Sequence, residues 1–158
     1  MLPKFPSDTG QKRRFLLDAV ESVRETVEAH AQDAEDSGTL SKPVVDAIYD
    51  AGLFALKLPE MFGGAEAEPV TQLEVLEAMA RIDSSAGWCL MIGATSIGQP
   101  AAFVGDEAAV DIFANASDGG RVPKGATVAM PAGRAKPVDG GYILNGRWPF
   151  ASGVQHSQ

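Results

Sequence analysis

The character of this chain changes abruptly near Gly119, and that change constrains the fold more than any other feature of the sequence. Before it, apolar residues recur at three- and four-residue spacing, which is typical of amphipathic helices. From Asp118 onward, Gly and Pro are dense and short β-type runs alternate with turn sequences. We therefore predict a mainly α fold with a β segment: a helical domain over residues 1–118 and the beginning of a β domain over 119–158.

The helical domain begins with an apolar stripe that predicts one long first helix over residues 15–34. Ser41 and Pro43 predict the start of a second helix that stops at Gly52, because a Ser side chain caps free amides and Pro suits a first turn. The next segment, GLFALKLPEMFGG, has no helical punctuation. We expect it to cross as a loop anchored by buried side chains, namely Leu53, Phe54 and Leu56.

Three more helices are predicted before the change in character. Thr71 and Glu74 have the spacing of a capping box, and the helix that they start is predicted to end near Asp83. The segment SSAGWCLMIGATSIG is apolar almost all round, which is typical of the central helix of a bundle. Asp106 is predicted to open a last short helix.

Turn sequences organise the β segment. Asp139-Gly140-Gly141 and Asn145-Gly146 are typical of hairpin turns, and they predict strands near residues 135–138, 142–144 and 147–150. About 40 residues follow the change in character, too few for an independent closed sheet. We expect the sequence to be truncated relative to the architecture that it encodes.

Charge and composition exclude several classes of function. There are 21 Asp and Glu against 13 Lys and Arg, so the net charge of -8 disfavours nucleic acid as a partner. One cysteine, Cys89, and two histidines leave no metal-ligand spacing, and the lone thiol fits a reducing cytoplasm. No apolar run reaches the roughly 20 residues of a membrane span. We predict a soluble cytoplasmic protein without a membrane partner or a metal site.

Two segments are candidates for a functional site. On the helix SSAGWCLMIGATSIG, small residues allow another backbone or a flat ligand to approach closely, and Trp88, Thr95 and Ser96 are the predicted pocket residues. Plain core packing is the alternative explanation, and Cys89 is interpreted as a small buried apolar residue. In RWPFASG, a strand would point Trp148 and Phe150 the same way. One interpretation is that both rings stack on a planar heterocycle whose polar edge bonds the Ser152 hydroxyl. The alternative is that both rings fill a sandwich core.

The order of three motifs resembles the acyl-CoA dehydrogenase family: GLFALKLPEMFGG, VLEAMARIDSSAGWCLMIGATS and PAGRAKPVDGGYILNGRWPFASG. More narrowly, DSSAGW and GRWPFASG are similar to the flavin-dependent monooxygenase branch that includes the oxygenase component of 4-hydroxyphenylacetate hydroxylase. The resemblance spans nearly the whole chain. It implies an acyl-CoA dehydrogenase-like N-terminal helical domain, followed by the start of a middle β domain, in a subunit that also has a C-terminal bundle and forms a homotetramer.

The same resemblance implies a function. The full-length protein would hydroxylate a small aromatic substrate with O2 and reduced flavin, either FMN or FAD, supplied by a separate flavin reductase. Trp148, Phe150 and Ser152 match the strand that lies against the flavin ring, and no catalytic residue is assigned. The alternatives are an acyl-CoA dehydrogenase that oxidises an acyl thioester and a non-catalytic helical module that self-associates. We expect the chain by itself to be inactive, because half of the expected flavin pocket is absent from it.

Overall fold

A computed structural model describes residues 2–117, 122–128, 130 and 132–157 of the chain. Its helices are α1 (Thr9–Ser22), α2 (Arg24–Ala29), α3 (Ala31–Ser37), α4 (Lys42–Asp50), α5 (Pro69–Ile82), α6 (Ser84–Phe103) and α7 (Asp106–Ser117). Strands β1 (Gly133–Val138) and β2 (Gly141–Gly146) follow. The mainly α fold with a β segment is confirmed. The predicted boundary between residues 118 and 119 lies outside the described residues, so the division into two domains stays a prediction.

The prediction of one continuous first helix is wrong, because the chain is interrupted at Val23 and His30. At each interruption the backbone N–H bonds the carbonyl three residues back, at 3.3 Å for Val23 and 3.2 Å for His30. The His30 ring contributes to the second break, since its Nδ1–H donates to the Thr26 carbonyl at 2.9 Å. The apolar stripe nevertheless continues across both breaks and is buried at Leu16, Val20, Val23, Val27 and Ala34.

The helices begin close to the predicted positions, but the predicted capping hydrogen bonds are not the ones that form. Ser41 is the N-cap residue of α4, but its side chain makes no capping bond. The capping box is wrong, because α5 begins at Pro69 and Thr71 is buried inside its first turn. At α6, by contrast, the Asp83 carboxylate caps the helix and accepts from the Ala86 N–H at 2.7 Å.

The core lies where α1, α4, α5 and α6 surround the crossing segment between α4 and α5. Leu53 and Leu56 are fully buried and Phe54 nearly so, which confirms the predicted anchors. The small residues of α6 allow close packing within the protein. A Cβ built on Gly87 would lie 2.8 Å from Ala80 of α5, and one on Gly93 would lie 2.5 Å from the Phe54 ring. At Gly87 and Gly93, the small residues of α6 thus allow close packing against other parts of the chain and leave no space for a ligand.

The hairpin of β1 and β2 is antiparallel and turns at Asp139-Gly140, as predicted. Its register pairs Gly133 with Gly146 at the open end, and every residue of both strands is exposed. The predicted third strand over residues 147–150 is wrong. Pro149 has no N–H to give to a ladder, and Phe150 has a φ of 59°, in the left-handed region. The predicted Asn145-Gly146 turn is likewise wrong, since both residues belong to β2.

In the part of the chain that the structure describes, none of the helices combines the length and the apolar character that crossing a bilayer requires.

Candidate functional site

The two candidate segments from the sequence meet in space. The indole Nε1–H of Trp88, on α6, donates a hydrogen bond to the hydroxyl oxygen of Ser152 at 3.1 Å. These residues are 64 positions apart in the sequence. The bond therefore joins the first turns of the central helix to the chain that follows the hairpin.

An open concavity of about 330 Å³ lies at this junction. Three pieces of the chain line it: the α3–α4 connection, the start of α6, and residues 150–156. The lining residues are Gly38, Thr39, Leu40, Trp88, Cys89, Phe150, Ala151, Ser152, Gly153, Val154, Gln155 and His156. Its surface combines apolar side chains with hydroxyl, indole and imidazole groups, so it offers both apolar contact and hydrogen bonds.

We call residues 150–153 the Ser152 turn. Its backbone is held by two residues with left-handed dihedrals, Phe150 with φ 59° and Gly153 with φ 80°. Within it, the Ser152 N–H donates to the Phe150 carbonyl at 2.8 Å, and the Val154 N–H donates to the Ala151 carbonyl at 3.1 Å. A Cβ built on Gly153 would meet no atom within 4 Å, so the turn leaves open space beside Ser152.

The two aromatic residues next to this turn have different surroundings. The Phe150 side chain lines the concavity and is 88% exposed. Trp148 is 40% exposed and packs against the open end of the hairpin, where a Cβ on Gly133 would lie 2.4 Å from its Cζ2 atom. Neither ring fills a sandwich core among the described residues. The prediction that both rings point the same way assumed a strand over residues 147–150, and that strand does not form.

Thr95 and Ser96 lie about two turns further along α6 than Trp88 and do not line the concavity. The Thr95 hydroxyl accepts from Lys57 Nζ at 2.8 Å and donates to the Met91 carbonyl at 2.7 Å. The Ser96 hydroxyl, on a residue that is 5% exposed, donates to the Ile92 carbonyl and lies 3.0 Å from Thr127 Oγ1. Of the three predicted pocket residues, Trp88 lines the concavity, whereas Thr95 and Ser96 are engaged elsewhere.

Two titratable side chains border the concavity. Burial lowers the pKa of His156, and Lys124 lowers it further, so the imidazole favours its neutral form. Its Nε2 lies 3.4 Å from Thr39 Oγ1. Burial raises the pKa of Cys89, and the Asp83 carboxylate adds to this, so the thiol stays protonated. The described residues contain no group of three or more His, Cys, Asp or Glu side chains that could hold a metal ion.

Thr39 and Leu40 are site residues that the sequence did not indicate. They follow Gly38, which ends α3 with a φ of 66°. A glycine after a helix predicts a turn there, but nothing local predicts that this turn faces residues 150–156.

The groups that line the concavity suit a flat heteroaromatic ligand with a polar edge. Phe150 offers an exposed ring face, Ser152 offers a hydroxyl, and Ala151 and Gly153 leave room for close approach. A flavin ring is such a group, and the residues present fit one side of it.

Comparison with known proteins identifies the relatives of this chain. Residues 9–111 match the family model described as acyl-CoA dehydrogenase, N-terminal domain. The oxygenase subunit HsaA of a flavin-dependent monooxygenase from Rhodococcus jostii is 30% identical over 141 residues, which are 89% of this chain and 36% of that protein. An indole-3-acetate monooxygenase from Pseudomonas putida is 32% identical over 118 residues, covering 72% of this chain and 28% of the relative.

Solved structures agree with the sequence matches. The structure of XiaF from Streptomyces sp. in complex with FADH2 and glycerol aligns with a TM-score of 0.86 at 26% identity, over 96% of this chain and 37% of that one. This chain therefore spans about a third of the length of these relatives.

Proposed function

We propose that this chain, which belongs to the acyl-CoA dehydrogenase family, is the N-terminal part of the oxygenase component of a flavin-dependent monooxygenase that hydroxylates a small aromatic substrate. The reaction would use O2 and a reduced flavin. The HsaA oxygenase subunits of flavin-dependent monooxygenases match about nine-tenths of the chain, in sequence and in fold. The activity belongs to the full-length protein, and we expect this chain by itself to be inactive.

The observation that carries the proposal is the meeting of Trp88 and Ser152 at an open concavity. The sequence indicates the two segments independently, one by its small residues and the other by two aromatic rings next to a hydroxyl. Their hydrogen bond brings an indole, a hydroxyl and the Phe150 ring to one surface. This combination supports recognition of a planar heterocycle.

In this proposal three residues hold one side of the flavin, namely Trp148, Phe150 and Ser152. The Phe150 ring would contribute an apolar face, and the Ser152 hydroxyl would bond a polar atom of the flavin ring. Trp148 packs against the end of the hairpin and does not line the concavity, so it would support this side from behind. The flavin, when bound in reduced form, supplies the chemistry that activates O2. The task of the chain's own residues is to orient the ring and to exclude water from it. The complex of a relative with FADH2 favours FAD, and FMN is the other candidate.

Trp88 would border the substrate side, and the same pocket was predicted to include Thr95 and Ser96. Thr95 bonds Lys57 and Ser96 lies against Thr127, so in this proposal both would support the pocket from further along α6. We assign no catalytic acid or base among the described residues. Reduced flavin would come from a separate reductase, and we also propose a homotetramer in the cytoplasm for the full-length protein.

The test is to supply the full-length protein with chemically reduced FMN or FAD, O2 and a panel of phenols, and to measure hydroxylated product by mass spectrometry. Product that depends on reduced flavin is the expected result. In a second assay, acyl-CoA thioesters are added anaerobically to the flavin-loaded protein. Bleaching of the flavin in that assay, without phenol hydroxylation, would favour the acyl-CoA dehydrogenase alternative.

A third measurement addresses the non-catalytic alternative. A ligand that binds only the folded state raises the melting temperature. If neither FMN nor FAD, reduced or oxidised, raises the Tm of the full-length protein, the proposal is wrong and self-association of a helical module becomes the better explanation.

A further inference from the structure

Trp88 is the side chain that joins the central helix to the Ser152 turn, and its position is set by tight packing. The neighbouring Gly87 lies against Ala80 of α5, where a Cβ would be 2.8 Å from the Ala80 backbone. The start of α6 is also fixed, because the Asp83 carboxylate accepts from the Ala86 N–H at 2.7 Å. The indole of Trp88 therefore projects from a rigid part of the fold, although its side chain is 55% exposed.

The Ser152 turn, in contrast, is built from short-range backbone bonds. Among the described residues, two side-chain hydrogen bonds connect residues 150–157 to the helical part: Trp88 Nε1 to Ser152 Oγ at 3.1 Å, and Thr39 Oγ1 to His156 Nε2 at 3.4 Å. The hydrogen bond from Trp88 is the shorter of the two, and it is made to the Ser152 hydroxyl. Trp88 is thus well placed to determine the position and direction of the Ser152 hydroxyl.

The chemistry of the pair fixes the direction of the hydrogen bond. An indole N–H only donates, whereas a Ser hydroxyl has one proton and two acceptor lone pairs. Ser152 must therefore accept from Trp88, and the proton of its hydroxyl is left for another acceptor. The concavity opens beside Ser152, so a ligand there is the available acceptor.

We propose that Trp88 is a positioning residue, whose indole N–H holds the Ser152 hydroxyl so that its proton is donated to an acceptor atom of a flavin ring in the concavity. This inference rests on the proposed function and concerns the orientation of one group within that site. Removing the indole N–H leaves Ser152 free to rotate, and it then offers a lone pair or a proton without preference.

The experiment is a double-mutant cycle in the full-length protein with Trp88→Phe, Ser152→Ala and the combination of both. Phe keeps an aromatic ring and removes the N–H. The dissociation constants of FMN and FAD are measured by quenching of flavin fluorescence, and those of the reduced forms by anaerobic titration. We expect each single change to weaken binding by about three- to tenfold, which corresponds to the loss of one hydrogen bond. The double variant should bind no more weakly than Ser152→Ala.

Two further variants separate positioning from general damage. Ser152→Thr keeps a hydroxyl and should restore most of the affinity that Ser152→Ala loses. Ser22→Ala removes a hydroxyl from α1 that donates to the Ala19 carbonyl, away from the concavity, and should leave flavin binding unchanged. Additive losses in the cycle, or a Trp88→Phe variant with unchanged affinity, would overturn the positioning role.

A spectroscopic measurement reports the hydrogen bond without any flavin. In protein with 15N-labelled tryptophan, the indole signal of Trp88 is identified by its loss in Trp88→Phe. Ser152→Ala should shift this signal and accelerate its exchange with solvent. An unchanged signal would contradict the bond even if flavin binds. Wild-type protein that binds no flavin would instead contradict the proposed function, and with it this role of Trp88.

Discussion

The helical part and the hairpin differ in how completely each buries its own apolar residues. In the helical part, Leu16, Ile48 and Leu53 are fully excluded from solvent, and the crossing segment is buried between helices. In the hairpin, Tyr142 is 72% exposed and Leu144 is 63% exposed. An isolated two-stranded hairpin is marginally stable in water. The helical part is therefore stabilised by its own core, whereas the hairpin is not. The candidate site lies between the helical part and the residues that follow the hairpin.

The largest expected effect contrasts the same substitution in the two regions. Leu56→Ala should lower the free energy of unfolding by about 2–5 kcal/mol, because it leaves a cavity in a closed core. Leu144→Ala, on the exposed hairpin, should change it by no more than about 0.5 kcal/mol. The measurement is equilibrium urea unfolding followed by far-ultraviolet circular dichroism.

Leu144→Ala is the matched control for Leu56→Ala, since the same atoms are removed from a residue that is 63% exposed rather than fully buried. A cost for Leu144→Ala close to that of Leu56→Ala would break the comparison. It would mean that a further layer covers the hairpin in solution.

The sequence predicted each region to a different depth. The helical period predicted which face of α1, α2 and α3 is buried, but the breaks at Val23 and His30 were missed because the apolar stripe runs through them without interruption. The Asp139-Gly140 turn was predictable, since an Asp-Gly pair is a strong local signal for a hairpin. The absence of a strand over residues 147–150 was not predictable, because alternating aromatic residues occur in strands and in irregular segments alike.

The site shows the same limit. Chemistry alone selected Trp88 and Ser152, one for its place among small residues and the other for its hydroxyl beside aromatic rings. That they bond each other across 64 positions could not be derived from a single sequence, since no local rule connects them. Thr39 was missed for the same reason, since no local rule connects the α3–α4 turn with residues 150–156.

A smaller effect tests whether the hairpin unfolds independently. Gly140 has a φ of 77°, so Gly140→Ala should destabilise the turn by about 1 kcal/mol, because L side chains are strained in that region. Hydrogen exchange of the β1 and β2 amides should then accelerate by about fivefold, with no change in the helices. Gly141→Ala is the matched control, since its φ is ordinary and a Cβ there meets no atom within 4 Å. Faster exchange in α5 or α6 would show that hairpin and helices unfold together.

The smallest expected effect concerns pH at the junction between the two regions. The pKa of His156 is lowered in the folded protein by burial and then by Lys124, while in the unfolded chain it returns to about 6.5. As the pH falls below that value, the unfolded state takes up a proton before the folded state does, so the free energy of unfolding decreases. The decrease levels off once the pH is below the folded pKa.

Three charged groups share a cavity with His156: Lys42, Asp46 and Lys124. Unfolding by urea between pH 7.5 and 5 should show a shallower loss of stability for His156→Gln than for the wild type. Lys124→Gln should have the same tendency but a smaller effect, because Lys124 is the second cause of the shift and burial remains. If His156→Gln leaves the pH profile unchanged, the imidazole is solvated in solution and residues 154–157 are not held against Thr39. Such a result would mean that the Ser152 turn, like the hairpin, is not held firmly against the helical part.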